Sequence, residues 1–229
     1  QGVPGESFFD MKDKKNFDAA KKAMDETGVF IHDVDLIAIN NQTDIPSYEG
    51  DLEAIAQLGV SGFVCSVWTP EKQLYTDKFA QLCDLAEKYG LTANLEFVTW
   101  AEIKGVNDAR ALLEEVNKPA ARILVDTLHC RRSQVTIDDI KACPPEWFDI
   151  IHVCDIDAYM PTTNEELAST GRTLRLYPGE GAADIRGIVD AIKDDAIIGI
   201  EIPHKERLET LGAYEFAKRC LAETKKYFA

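Results

Sequence analysis

The sequence predicts an α/β fold: a parallel sheet covered by helices and closed as a (β/α)8 barrel. Three observations lead there. Strand-length apolar runs recur along the chain, at GVFIHDVDLIAI (28–39), VSGFVCSVW (60–68), LTANLEFV (91–98), ARILVD (121–126), DIIHVCD (149–155) and AIIGIEI (196–202). Runs that are apolar on both faces suit buried parallel strands. Segments with helical spacing separate them, which is the rhythm of βαβ units. No GxGxxG turn is present, so the ligand-binding signature of an open doubly wound sheet is missing. Four strands instead finish on residues able to ligate a metal, which is where a barrel places its functional groups.

The helices follow from periodicity and capping. YEGDLEAIAQLG (48–59) carries Leu52, Ile55 and Ala56 at helical spacing. TDKFAQLCDLAEKYG (76–90) lines up Phe79, Leu82, Cys83, Ala86 and Tyr89 on one face, with Gly90 as the stop. VNDARALLEEVN (106–117) is a helix with Asn107 as its expected N-cap, and TIDDIKAC (136–143) a short one. A long, polar, Gly-bearing connection joins the fifth strand to LRLYPGEG (174–181). Asp184 can cap DIRGIVDAIK (184–193), whose Ile185, Ile188, Val189 and Ile192 form an apolar stripe. One amphipathic helix is expected over 206–227. No linker or repeat interrupts the pattern, so residues 1–229 are expected to form a single domain.

Composition narrows the function. A formal net charge of −15 opposes nucleic acid and anionic membranes, leaving a small molecule as the expected partner. No apolar run is long enough to span a bilayer, and the opening QGVPGESFFDMKDKK lacks an apolar signal-peptide core. The six cysteines form no CxxC pair, and Cys65 and Cys154 lie inside apolar runs. Reduced thiols and a cytoplasmic location are the expectation.

The strand ends carry the chemistry. TANLE ends on Glu96, RILVD on Asp126, DIIH on His152 and IIGIE on Glu201. A lone carboxylate after a strand caps a helix or sits in a solvated loop. A lone His152 between Ile151 and Val153 would be a core histidine. Four ligand-type residues on four successive strands are not explained that way. In a closing barrel they meet at one mouth, where three carboxylates would repel unless a cation joined them. Three carboxylate oxygens and one imidazole nitrogen suit Mn²⁺, Mg²⁺, Co²⁺ or Zn²⁺.

From these residues the sequence resembles the xylose isomerase-like TIM barrel superfamily, with its sugar phosphate isomerases and epimerases, ketose 3-epimerases and inosose dehydratases. NLEF, VDTLH, IHVCD and IGIEI match the family's metal ligands, which implies Glu96, Asp126, His152 and Glu201 as the ligand set. The D-x-x-H pattern of Asp126 and His129 is matched, which implies that His129 touches substrate. Arg175-Leu-Tyr-Pro178-Gly179-Glu180-Gly181 is similar to the family's R-x-x-PGEG motif. The resemblance implies a metal-dependent isomerase or epimerase acting on a sugar or sugar phosphate. The proton next to a carbonyl would be removed through a metal-stabilised enediolate, with Glu96 and Glu201 as the acid–base pair. Arg175, or failing it Arg172, is expected to contact a substrate hydroxyl or phosphate. Trp100 is expected to wall the pocket or to belong to the core. His204 is a weaker candidate for substrate contact, and Glu180 reads as a turn residue. Arg131 and Arg132 could bind an anion, although exposed arginines need no such reason.

A barrel needs eight strands, and the sequence offers six. The stretch QGVPGESFFDMKDKKNFDAAKKAMDE supplies only a loop and a helix, so the first two strands are expected to be missing, roughly 35–45 residues at the size of βαβ units. Open strand edges would then invite a second copy of the chain. Three other functions compete. A dehydratase of a cyclic keto-polyol, inosose or dehydroshikimate in type, would use the same groups. A non-catalytic sugar-binding barrel would not need two apposed bases. A zinc-cluster nuclease is opposed by the four histidines and the −15 charge.

Overall fold

The structure is a computed structural model that describes residues 10–192 and 194–229. Residues 1–9, part of the opening loop that the sequence leads one to expect, and the helix end expected at Lys193 lie outside them. The chain divides into two compact units, one of residues 1–96 and 111–122, the other of 97–110 and 123–229.

The first unit opens with α1 (Lys14–Thr27), capped by Asp13 and stopped by Gly28 at φ 69°. Three parallel strands follow: β1 (Asp33–Ile39), β2 (Gly62–Val67) and β3 (Thr92–Glu96). Every residue of β2 is buried, as expected of an inner parallel strand with both faces covered. Between the strands run α2 (Glu49–Gln57) and α3 (Lys72–Lys88). α3 buries Phe79, Leu82, Cys83 and Ala86, four of the five residues that the spacing assigns to its inner face. Tyr89 instead caps the helix and donates its hydroxyl to Glu49 Oε1 at 3.1 Å. The helix also begins earlier than the expected residue 76, at Lys72, and Tyr75 is already buried in its first turn.

α4 (Val106–Val116) and β4 (Ala121–Asp126) pass from one unit to the other. Asn107 does not cap α4; it lies inside the helix, and its amide donates to Asp139 Oδ1 at 2.8 Å. The Asp108 carboxylate instead accepts the backbone N–H groups of Lys104 and Gly105 just before the helix.

The second unit continues with α5 (Thr127–Arg132), α6 (Ile137–Lys141), β5 (Ile150–Val153), α7 (Asn164–Thr173), α8 (Ile185–Asp190) and β6 (Ile197–Ile200). β4, β5 and β6 are parallel neighbours. α6 begins with a full capping box between Thr136 and Asp139, and Asp184 caps α8 as its sequence predicts. The polar connection after β5 hides α7, which has no apolar stripe to announce it. Its signal is the Thr163–Glu166 spacing, where the Thr163 hydroxyl accepts the Glu166 N–H at 3.2 Å. The final helix expected over 206–227 is two helices, α9 (Lys205–Leu211) and α10 (Ala213–Phe228). They part at Gly212, whose φ of 75° and ψ of 159° leave the helical region.

All six cysteines are free and buried. No helix among the described residues is long and apolar enough to cross a membrane. Phe79 on α3 is fully buried. Phe79→Ala is expected to cost about 3–5 kcal/mol in urea unfolding, and a cost below 1 kcal/mol would remove that ring from the core.

Candidate metal centre

The register of the second unit brings three of the expected ligands together. Asp126 pairs with His152 across β4 and β5, and His152 pairs with Gly199 across β5 and β6. Gly199 leaves room for the imidazole, since a Cβ there would stand 2.9 Å from His152 Cδ2. Glu201 follows β6 directly and extends its ladder by donating its N–H to Val153 O at 3.2 Å. Asp126, His152 and Glu201 thereby offer ligand atoms within 4.8 Å of one another. His152 Nδ1 lies 3.2 Å from Glu201 Oε2. The fourth expected ligand, Glu96, is half-buried at the end of β3 and is the last residue of the first unit's opening segment.

Asp126 is fully buried, and its side chain doubles as the N-cap of α5. One carboxylate oxygen accepts the Leu128 N–H at 2.6 Å, and the other meets Arg175 Nη1 at 2.6 Å. Burial alone would raise the pKa of this acid. The Arg175 guanidinium, and after it His129, holds it well below the usual carboxylate range. Burial in turn would lower Arg175, but Asp126 drives it well above the ordinary arginine value. Both partners therefore stay charged.

Arg175 also reaches Glu201 Oε2 at 2.9 Å, and its Nε donates to Gly171 O at 2.7 Å. The motif suggests a substrate contact for this arginine; the structure seats it against the carboxylates of the ligand set. A turn holds it there. The buried Asp155 accepts the N–H groups of Gly179, Gly181 and Ala183, each at 2.9 Å. Asp155 also exchanges backbone hydrogen bonds with Leu176, next to Arg175. Asp155 closes the expected run 149–155, but His152 is the ligand-type residue read there, and β5 itself ends at Val153. Glu180 serves the same turn, accepting from Tyr177 N and from Arg207 Nη1.

His129 sits on α5, a helix that the polar TLHCRR stretch conceals. Its Nδ1 accepts the Thr99 backbone N–H at 3.2 Å, which leaves the proton of the neutral ring on Nε2. Burial is the main reason its pKa falls to about 4, with Asp126 opposing. Trp100 packs edge-on against the His129 ring at 4.9 Å and fixes its orientation. His204 caps α9 by accepting from Arg207 N, an engagement with its own helix.

A buried aspartate, a glutamate and an imidazole converging on one point form a group that can hold a divalent cation, and this oxygen and nitrogen donor set suits zinc or manganese. Fold and site together define a parallel α/β protein with a cation site at the C-terminal ends of its strands. The chain belongs to the xylose isomerase-like TIM barrel family, whose family model matches residues 3–223. It is 23% identical over 218 residues to an inosose isomerase of Bacillus subtilis, covering 85% of this chain and 76% of that one. Among solved structures it is similar to the IolI protein with a bound zinc atom, at TM-score 0.77 and 21% identity, covering 96% of this chain and 84% of that one. It is also similar to a D-allulose 3-epimerase from Methylomonas sp. in complex with D-allulose, at TM-score 0.66 and 18% identity, covering 92% and 81%.

Two outcomes are expected of metal-free protein. Arg175→Met leaves the Asp126 charge buried without its partner and is expected to cost about 3–5 kcal/mol in urea unfolding; unchanged stability would mean that Asp126 is held by other groups. His129 gives a pH signature. Its folded pKa of about 4 lies below the unfolded value, so its share of stability is present above roughly pH 6.5 and is lost as pH falls towards 4. Unfolding of the wild type is expected to weaken across that window by about 3 kcal/mol more than that of His129→Gln. Parallel profiles would contradict a buried neutral His129.

Proposed function

We propose that this chain is a metal-dependent isomerase or epimerase of a keto-polyol, acting by proton transfer at the carbon next to a carbonyl. The observation that carries this reading is the meeting of Asp126, His152 and Glu201 at the ends of adjacent strands. Glu96, at the end of β3, is proposed as the fourth ligand. Relatives named as an inosose isomerase and as a D-allulose epimerase support a polyol or sugar carbonyl as the substrate class.

A divalent cation bound there supplies Lewis-acid polarisation of the carbonyl and so lowers the cost of removing the neighbouring proton. The chain's own residues do the rest. Glu201 is the most exposed of the three gathered ligands, with 40% of its side chain accessible, and can reach a substrate carbon. It takes the proton, and Glu96 returns it from another strand. The neutral His129 offers its Nε2–H to a substrate oxygen, and Thr99 and Trp100 keep the ring in that tautomer and orientation. Arg175 carries no proton in this scheme. Its positive charge lies against both carboxylates, Asp126 at 2.6 Å and Glu201 at 2.9 Å, and offsets their mutual repulsion.

Loaded protein incubated in D2O with a panel of keto-polyols, neutral and anionic, is expected to yield from one of them an isomer deuterated at the carbon beside the carbonyl. Glu201→Gln should reduce that exchange by about 10²–10⁴-fold. A product lacking the elements of water would reassign the chain to the dehydratases. Absence of exchange with every keto-polyol offered would leave a binding protein.

A further inference from the structure

Arg132, the last residue of α5, is buried at 8% exposure, against 4% for Arg175. The two differ in their partners. Arg175 is matched by two carboxylates and a carbonyl. Arg132 donates only from Nη2, to the Thr170 hydroxyl at a long 3.4 Å. Its Nε and Nη1 are buried and meet no acceptor among the described residues. Asp157 and Glu166 are the acids that act on it, but neither forms an ion pair with it. Both are engaged elsewhere, Asp157 by Tyr159 N at 2.7 Å and Glu166 by Tyr159 Oη at 3.0 Å. Burial accordingly pulls Arg132 below the usual arginine value. A guanidinium removed from water without a counter-charge is costly, and an isolated one is rarely kept.

A second unpartnered donor lies close by in the fold. The Trp100 indole N–H is buried and has no acceptor among the described residues. Its ring packs so closely on Gly171 that a Cβ there would stand 2.7 Å away, while Arg132 holds the adjacent Thr170. Two donors without acceptors, resting on consecutive residues of α7, call for a ligand rich in acceptor oxygens. Both also lie near the proposed reaction centre. Trp100 touches His129, and α5 runs from the ligand Asp126 to Arg132, about 9 Å of helix rise. That span fits a substrate of several carbons with its carbonyl at one end and a charged group towards the other. A chain of net charge −15 repels anions at long range, so a local buried cation is the means by which it could select one.

We propose that Arg132 receives an oxyanion carried by the substrate, so that the substrate is an acidic keto-polyol, a sugar acid or a sugar phosphate, rather than a neutral sugar. This rests on the isomerase reading above and narrows it. The guanidinium would take the carboxylate or phosphate at Nε or at Nη1, which lie on different edges of the group, with Nη2 completing a forked pair on either edge, the geometry for which arginine is suited over lysine.

The test is calorimetric titration of metal-loaded protein with inorganic phosphate, D-gluconate and neutral myo-inositol, for the wild type, Arg132→Gln and Arg132→Lys. Wild type is expected to bind phosphate, gluconate or both, and the stronger ligand identifies the anion. Arg132→Gln should weaken that binding about tenfold or more and leave myo-inositol unchanged. Arg132→Lys should fall between them, and it carries the test if the glutamine variant does not fold. Equal oxyanion affinity in wild type and variants, or no oxyanion binding by the wild type, would overturn the proposal. Metal content and deuterium exchange are read separately on the same samples. A neutral-substrate isomerase would therefore retain exchange while failing here, and a chain that is no isomerase would lose exchange whatever Arg132 binds.

Discussion

One ion pair governs the second unit: the fully buried Asp126 carboxylate against the Arg175 guanidinium at 2.6 Å. A carboxylate with no exposure would ordinarily take up a proton and lose its value as a ligand. Arg175 prevents that, and the Leu128 N–H adds a bond that also starts α5. The same guanidinium reaches Glu201, so one cation lets two acids converge beside His152. In a bound state the cation site and Arg175 would share the negative charge of the ligand set. That arrangement suits a weakly charged substrate carbonyl better than a highly charged one at the metal itself.

The rest of the unit keeps Arg175 in place. Asp155 gathers the Pro178–Gly181 turn through its backbone N–H groups and pairs with Leu176. Arg175 N donates to Pro203 O, tying the arginine strand to the segment after Glu201. Thr127 joins the ends of β4 and β5, donating to Cys154 O at 2.7 Å and accepting from Cys154 N at 3.0 Å. These are polar bonds in a buried setting, where each is worth most when every partner is satisfied. Arg132 and Trp100 depart from that rule within the same unit, each holding buried donors without an acceptor among the described residues.

Much of this was legible in the sequence, because parallel strands buried on both faces read as apolar runs. β4 falls at 121–126 as expected, and every other strand lies within its expected run. The candidate ligands were legible for the same reason: a carboxylate or imidazole that interrupts such a run is conspicuous. What stayed hidden depends on long-range contact. The Asp126–Arg175 pair spans 49 residues, and nothing in R-x-x-PGEG says which acid its arginine meets. α5 and α7 lack apolar stripes, so periodicity passes over them although capping residues mark both. Arg131 and Arg132 both read as arginines that could bind an anion without needing to, and burial is what singles out Arg132. The break at Gly212 was missed because the apolar spacing continues on either side of it.

A cation held by Asp126, His152 and Glu201 is the centre on which the proposed chemistry depends. The most direct measurement is the metal content of purified protein after dialysis against a weak chelator, set beside that of Asp126→Asn. About one divalent ion per chain in the wild type, and little in the variant, is the expected result. A wild type that retains no ion after loading with Mn²⁺, Co²⁺ or Zn²⁺ would contradict the account, and so would a variant that retains as much as the wild type.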